Sequence, residues 1–246
     1  MTRHFIALIV SIATSHGVSS GSSALAAPAP QQNSAVTSLF NLSYLDKLDR
    51  EKIDLSIPQT QLEEAARLSE KAMGLAQEEK AADAIFCYEK ALDLARNSVD
   101  EPILDVDMGA VYSQQGNFKK GRYYYKRATE LAPGLQEAWY GLGVCNGELK
   151  RFHEAKRCFL KALAIDPQDV HSLGNLGEIY RLLGDLPKSR QYLEKGLKLA
   201  QEESDRSLIH CSLSELQKAE TAAANQAERQ AEDRSQFSAG LDRIQD

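Results

Sequence analysis

A short pattern of apolar and small residues recurs along the chain at a fixed interval of 34 residues. Leu142-Gly143 is matched 34 residues later by Leu176-Gly177 and 34 residues earlier by Met108-Gly109. A fixed period in this range is typical of proteins that stack one supersecondary unit on the next. The interval therefore predicts a repeat array in place of a single globular core.

The recurring positions have a physical explanation as a hairpin of two helices. Leu142 and Phe159 are apolar at helical spacing, so they should meet in the core between the helices. Gly143 and Ala155 are small, which lets the helices approach closely. Pro167 ends the second helix, because the residue before a proline is pushed out of the helical conformation. Neither helix can bury its apolar stripe alone, so several stacked units are needed.

Taken together, these positions resemble the tetratricopeptide repeat, a family whose repeat is 34 residues long. The residues that carry the resemblance in one repeat are Trp139, Leu142, Gly143, Ala155, Phe159, Ala162 and Pro167. The resemblance implies an all-α fold, a right-handed superhelical solenoid of helix-turn-helix repeats with a C-terminal capping helix. The chain departs from the family at Asn146, where Tyr is usual, and at Ser189, where Ala is usual.

The chain divides into five predicted segments. They are a signal peptide at 1–26, a flexible linker with an apolar patch at 27–58, the repeat array at 59–203, a capping helix at 204–232 and a disordered tail at 233–246. The repeats are expected at about 65–98, 102–135, 136–169 and 170–203. The first is the weakest match, since Lys71 occupies the column of Leu142 and three extra residues precede the second repeat. The predicted apolar stripe of the capping helix consists of Leu208, Cys211, Leu213 and Leu216.

The first 26 residues have the pattern of a secretory signal. Arg3 and His4 precede a short apolar run at 5–13, and small residues end the segment at Ala26. This order predicts cleavage after Ala26 and export, to the periplasm or outside the cell. A disordered or anchored N-terminus is the alternative. Asn41 begins an Asn-Leu-Ser glycosylation sequon, which matters only in a eukaryotic host.

The four cysteines form no Cys-x-x-Cys pair, so neither a zinc site nor a thioredoxin-type site is indicated. In an exported protein, Cys145 and Cys158 are the only plausible disulfide, since a hairpin centred near Arg151 would bring them level. The alternative is that all four are small packed thiols, because free cysteines are usually buried.

No catalytic constellation is present in the sequence. The three histidines outside the signal are widely spaced, and the chain lacks both a phosphate-binding glycine loop and a Gly-x-Ser-x-Gly motif. Its carboxylates lie on predicted helix faces, where a solvated surface is their usual role. We therefore predict a protein that is not an enzyme and that uses no metal or cofactor. The net charge of −6 argues against nucleic acid as a partner.

The family resemblance also implies a binding surface, because the first helices of such repeats line a concave groove that holds peptides or proteins. It places in this groove Val106, Ala110, Ser113, Glu137, Tyr140, Val144, Glu148, His171, Glu178 and Arg181. The set is mixed, with a slight acidic bias and one aromatic ring. It would suit an extended or helical peptide with some positive charge. The alternative is an ordinary solvated surface, with the partner bound elsewhere.

One subclass of the family is not expected. Members that bind the C-terminal carboxylate of heat-shock chaperones use a clamp of Lys, Asn and Arg in the groove. The matching positions in this chain are Ser69, Met73, Asp107, Glu137 and Gly141. A carboxylate would meet acidic groups at these positions, so the sequence predicts a different ligand.

Basic residues recur at 34 residues on the second helices. Arg122, Lys156 and Arg190 form one column, and Arg127, Lys161 and Lys195 form another. These outer basic columns could contact an acidic protein or, peripherally, an anionic surface; alternatively, each cation pairs with a nearby Glu. The overall prediction is a scaffold or assembly factor for another protein. The competing interpretation is a structural or oligomer-forming array with an empty groove.

Overall fold

The computed structural model of the chain describes residue 54 and residues 56–242. The predicted signal peptide, the cleavage site after Ala26, the apolar patch and the sequon at Asn41 all lie outside these residues.

The described residues form helices joined by short connections, and they contain no strand. In chain order the helices are α1 (Gln59–Gln77), α2 (Ala81–Leu94), α3 (Glu101–Gln114), α4 (Phe118–Leu131), α5 (Gln136–Glu148), α6 (Phe152–Ile165), α7 (Val170–Leu182), α8 (Leu186–Leu199) and α9 (Glu203–Asp242). The helices from α1 to α8 pack in consecutive pairs, one pair for each predicted repeat. The predicted all-α fold of helix-turn-helix repeats is therefore confirmed.

The two helices of every repeat are joined by the same tight turn. Glu79, Gly116, Lys150 and Gly184 occupy equivalent positions in the four turns, and their φ angles lie between 59° and 81°. In the second repeat, the N–H of Asn117 donates to the carbonyl of Tyr112 at 2.8 Å and closes the end of α3. This closure requires a residue in the left-handed conformation, which glycine adopts without strain.

Close helix approach in the second and third repeats depends on glycine. Phe159 of α6 is fully buried, and a Cβ atom added to Gly143 of α5 would lie 2.7 Å from Cε1 of its ring. Tyr125 of α4 lies against two glycines: a Cβ atom would come within 2.9 Å of its ring at Gly109 and within 2.2 Å at Gly141. The prediction that Gly143 permits close packing is confirmed.

The chain forms two compact units that divide between Pro167 and Gln168. In the first unit, α2 contacts α3, α4 contacts α5, and α3 contacts α5, so its three repeats stack on one another. In the second unit, α9 packs against both α7 and α8. Leu193 of α8 joins Ile209 and Leu216 of α9 in one buried cluster. The fourth repeat thus lies in the second unit, where it shares a buried cluster with the capping helix.

The capping helix differs from its prediction in length and in its buried face. It continues to Asp242, through most of the predicted tail at 233–246; residues 243–246 lie outside the described part. Its Ala- and Glu-rich sequence has high helix propensity, which favours continuation. Ile209 and Leu216 are buried, whereas Leu208 and Leu213 are partly buried. Cys211 is exposed because it lies on another face of the helix.

Candidate functional site

The predicted groove residues of the second repeat lie on α3. Val106 is buried in a hydrophobic cluster that residues of α3, α4, α5 and α6 share. Ser113 is also buried; its hydroxyl donates to the carbonyl of Gly109 at 2.7 Å and lies 3.2 Å from Cys145 Sγ. Ala110 is partly exposed. Of these three predicted contact residues, only Ala110 offers surface to a partner.

The third repeat contributes its groove residues from α5. Tyr140 is 6% exposed, and its ring lies tilted against Phe159 with the ring centroids 6.0 Å apart. Val144 is buried as well, whereas Glu137 and Glu148 are partly exposed. With Val106 and Ser113, four of the ten predicted groove residues are buried, so the accessible part of the site is narrower than the sequence predicts.

Glu148, at the end of α5, has an incompletely satisfied carboxylate. Its Oε1 atom is buried and accepts no hydrogen bond within the described part of the chain. Burial raises the pKa of this carboxyl above its ordinary value. A buried acceptor without a donor costs free energy, and more so when it is ionised. This position therefore favours the approach of a cation or an N–H group.

In the second unit, the predicted groove residues have partners within the chain. Nδ1 of His171 lies 3.8 Å from Oδ1 of Asp205 on α9. Arg181 and Glu178 form a bidentate ion pair on α7, in which Nε of Arg181 donates to Oε2 of Glu178 at 2.9 Å and Nη2 donates to Oε1. The hydrogen bond to Glu178 raises the pKa of Arg181. Glu178 and Arg181 thus satisfy each other, which weakens their role as free charges for a ligand.

The arginines of the outer basic columns also pair within the chain. Arg127 donates to Glu101, and its Nη1 lies 3.2 Å from Asp105 Oδ1. Arg122 Nε donates to Oδ1 of Asn146 at 3.0 Å. Pairing with a glutamate, the alternative offered by the sequence, therefore describes Arg127, whereas Arg122 pairs with an amide.

The remaining members of the columns are the lysines and Arg190. In the second unit, Arg190 Nε donates to Glu220 Oε1 at 3.2 Å, and Glu194 lies 3.6 Å away. Lys161 and Lys195 are exposed, and Lys156 is half-buried. Among the column members, Lys161, Arg190 and Lys195 are therefore the exposed cations.

A buried acidic cluster is the main feature that the sequence did not reveal. Asp105 is fully buried and Glu101 is 5% exposed, with Arg127 as their shared counterion. Burial raises the pKa of Asp105 from its ordinary 3.8 to about 7, against the opposing charge of Arg127. The backbone N–H of Asn97, in the connection from the first repeat, donates to Glu101 at 2.6 Å. The signal was available, because Asp105 lies 34 residues before Trp139 in an otherwise apolar column.

Asn146, the main departure from the family pattern, joins two helices. Besides accepting from Arg122 of α4, its amide donates to Sγ of Cys158 on α6 at 3.7 Å. The polar side chain is 3% exposed, so these contacts satisfy it where the family has a tyrosine.

All four cysteines are free thiols. Cys87, Cys145 and Cys158 are buried, as the packed-thiol alternative predicts, but Cys211 is exposed on α9. Burial raises the pKa of Cys145 to about 12 and that of Cys158 to about 11. Both therefore remain protonated at neutral pH, the unreactive form of cysteine.

The described residues include neither a group of metal ligands nor a membrane-spanning helix. Within residues 54 and 56–242, no three or more His, Cys, Asp or Glu side chains are grouped to hold a metal ion. Over the same residues, no helix has the length and apolar character that crossing a membrane requires.

Sequence models of the tetratricopeptide repeat match residues 106–134 and 134–202. These matches cover the second, third and fourth repeats. The chain therefore contains tetratricopeptide repeats. Proteins with these repeats generally mediate protein–protein interaction or assembly.

The curated proteins that are similar to this repeat protein match it over only part of its sequence. Tetratricopeptide repeat-containing protein trd-1 of Caenorhabditis elegans is 25% identical over 91 residues, which are 37% of this chain and 12% of trd-1. An uncharacterized protein of Methanocaldococcus jannaschii is 30% identical over 67 residues, 27% of this chain and 78% of that protein. The chain thus spans a small fraction of trd-1 and most of the archaeal protein.

Among solved structures, this repeat protein is similar to YrrB, described as a TPR protein with an unusual peptide-binding site. The TM-score is 0.52 at 21% identity, over 69% of this chain and 86% of YrrB. At this level of identity, the likeness shows the fold alone.

Proposed function

We propose that this repeat protein is a non-enzymatic scaffold or assembly factor that holds a peptide or protein partner against the first helices of its repeats. The observation that carries the proposal is Glu148, whose buried Oε1 has no donor among the described residues. The other accessible predicted positions in the same unit are Ala110 and Glu137, which are partly exposed. A partner supplies the donor that Glu148 lacks.

The chemistry of this face favours a partner with positive charge. Glu148 and Glu137 are both acidic, and Met73 on α1, at the corresponding face of the first repeat, is 44% exposed. The partner is therefore a peptide segment that combines a Lys or Arg with apolar side chains. A chaperone-type carboxylate clamp stays outside the proposal, because Ser69, Met73, Asp107, Glu137 and Gly141 provide no cation.

The binding test compares Glu148→Gln with Glu130→Gln in the full chain. Glu130 is exposed on α4 and pairs with Lys126 at 3.0 Å, so it matches the charge change away from the proposed site. The probes are fluorescent peptides of equal length with net positive, neutral or negative charge. The cationic peptide is expected to bind best, and Glu148→Gln to weaken it by about tenfold or more, since hydrogen bonds to charged groups contribute ~1.5–3 kcal/mol.

The pH dependence of binding gives a second readout. Because the pKa of Glu148 is raised in the free protein, binding of a cationic peptide should weaken as the pH falls through that raised value. Glu148→Gln should lose this dependence. Preference for the acidic peptide, or equal loss with Glu130→Gln, would rule out this site. Affinity capture with the same variants then identifies the natural partner.

We also propose that the protein acts after export, in the periplasm or outside the cell. The support is the order of Arg3 and His4, the apolar run at 5–13 and the small residues up to Ala26. N-terminal sequencing of the protein from its own cells is expected to begin at Ala27. An intact Met1 in the exported fraction would contradict cleavage.

A further inference from the structure

Two large aromatic side chains are exposed on the outer face of the first two repeats. Phe86 of α2 is 60% exposed, and Tyr123 of α4 is 58% exposed. They occupy the same column, with the 37-residue separation that also relates Tyr88 to Tyr125. The third repeat has Arg157 at this position, so the aromatic character is confined to α2 and α4.

Side chains of α2 and α4 approach each other at this face. Tyr124, which follows Tyr123, packs against a hydrophobic cluster that residues of α1, α2 and α3 share. Burial and, to a smaller extent, nearby charges that include Glu89 of α2 raise the pKa of Tyr124 to about 12. Phe86 and Tyr123, the exposed rings of these two helices, are together called the aromatic patch, and the function proposed above does not use them.

The surface around the aromatic patch has opposite charge on its two halves. On α2 the exposed acidic residues are Asp83, Glu89 and Asp93, with Lys90 as the exposed cation. On α4 the exposed basic residues are Lys119, Lys120 and Lys126, with Glu130 as the exposed anion. Some of these charges have partners on the chain, such as Lys126 with Glu130, but exposed pairs of this kind contribute little.

We propose that this face binds a second copy of the chain, about a two-fold axis that passes between α2 and α4. In such an isologous contact, the acidic α2 of each copy meets the basic α4 of the other, and the aromatic patches meet at the axis. A nucleic acid, an anionic membrane or an acidic protein would match only the basic half. The acidic half would repel them, so the divided charge favours a partner with the same divided face.

The area of the proposed interface determines how tightly the dimer is expected to associate. Each of the two helices has 14 residues, hence a length of about 21 Å, and neighbouring helices lie about 10 Å apart. Two such helices offer roughly 400 Å² per copy, or about 800 Å² in the dimer. This is below the ~1,200 Å² of stable interfaces. The dimer should therefore be weak, with a Kd in the micromolar range or above, and sensitive to salt.

The test is a charge-swap experiment with the full chain in analytical ultracentrifugation, from about 10 µM to about 1 mM. One variant reverses the acidic half (Asp83→Lys with Glu89→Lys), and the other reverses the basic half (Lys119→Glu with Lys126→Glu). All four side chains are exposed, so folding should be retained, which circular dichroism verifies. The matched control changes exposed charges in the second unit, Lys198→Glu with Glu202→Lys.

The expected result has three parts. The wild type and the control dimerise at high concentration, and 0.5 M salt shifts the dissociation constant upward by about tenfold or more. Each charge variant alone is monomeric. An equimolar mixture of the two variants dimerises, because reversed α2 then meets reversed α4.

A second variant pair tests the aromatic patch without changing charge. Phe86→Ser with Tyr123→Ser should weaken the dimer by at least tenfold, since two exposed rings are lost from its centre. A wild type that is monomeric at every concentration would overturn the proposal. So would a dimer that none of these variants weakens, or a variant mixture that stays monomeric. None of these outcomes depends on Glu148 or on a bound peptide.

Discussion

The second and third repeats place polar and aromatic side chains in opposite columns of the same fold. In the column of Trp139, the second repeat has the buried carboxylate of Asp105. In the column of Tyr112, the third repeat has the buried amide of Asn146. Tyr112 stacks on Tyr124 with ring centroids 5.5 Å apart. Each repeat therefore has one aromatic and one polar residue in these two columns.

Both polar residues depend on α4. Arg127 of that helix lies beside Asp105, and Arg122 donates to Asn146. The two arginines are five positions apart, so a single helix contacts a polar residue in its own repeat and another in the next. The comparison shows that a normally apolar or aromatic position of the repeat can hold a buried polar residue. The condition is that a neighbouring helix supplies an arginine to pair with it.

The fourth repeat, considered by itself, has no polar residue at either position. Leu173 occupies the first column and is fully buried. Tyr180 occupies the second and stacks on Tyr192 with centroids 5.4 Å apart. The polar columns are thus a local feature of the second and third repeats, and substitutions can test each one separately.

The largest expected effect comes from removing the counterion of the acidic cluster. Arg127→Ala would leave Glu101 and Asp105 buried without a cation. Breaking a buried pair in this way costs about 3–5 kcal/mol. Urea unfolding at pH 8 should show this loss. Arg157→Ala, a change to an exposed arginine of α6, should shift stability by less than about 0.5 kcal/mol. An equal effect of the two substitutions would show that the cluster is unimportant.

A change in the opposite direction is expected for Asp105→Asn. The pKa of Asp105 is about 7 in the folded protein and near 3.8 in the unfolded chain. The stability that protonated Asp105 contributes to the fold is therefore complete below about pH 4 and is lost as the pH rises through 7. The variant lacks this titration, so near pH 4 it should match the wild type. At pH 8 it should be more stable, by at most about 4 kcal/mol.

The measurement is the free energy of unfolding of both proteins at intervals from pH 4 to pH 8. Arg127 keeps Glu101 as its partner in the variant, so no lone charge is created. A variant that is less stable than the wild type at pH 8 would mean that Asp105 and Arg127 stabilise the fold as an ion pair.

The smallest expected effect concerns the polar junction of the third repeat. Asn146→Ala removes the acceptor of Arg122 and the amide that faces Cys158. Arg122 is half-buried and can reach water, so the loss should be about 1–2 kcal/mol. Thermal unfolding can resolve this against Asn225→Ala, which is exposed on α9. No change in melting temperature would show that the junction is a tolerated departure without structural importance.

Sequence reasoning recovered the fold because its signals are local and repeat. The interval between Gly109, Gly143 and Gly177 is set by the repeat itself, and the turn residues follow the same period. The division after Pro167 was not predictable in this way. In the second unit, α9 packs on the fourth repeat. That contact depends on Ile209 and Leu216, which lie outside the repeat pattern.

The candidate site was predicted less well than the fold. The family register gives the helix on which Tyr140, Val144 and Glu148 lie, and the structure places all three on α5. The register does not predict which side chains are buried, because burial depends on neighbouring helices. Tyr140 is buried, whereas Glu148 is partly exposed. The sequence also did not reveal the partners of Arg122 and Arg127. These partners are distant in sequence, and only packing brings them close to the arginines.

Tyr125 has a consequence for how this sequence can vary. Its ring fills the space that side chains would need at Gly109 and Gly141, which belong to different repeats. A smaller residue at 125 would leave a cavity that a larger residue at 109 or 141 could fill. Among related chains, these three positions should therefore change together, so that a substitution tolerated in one lineage is harmful when transplanted alone into another.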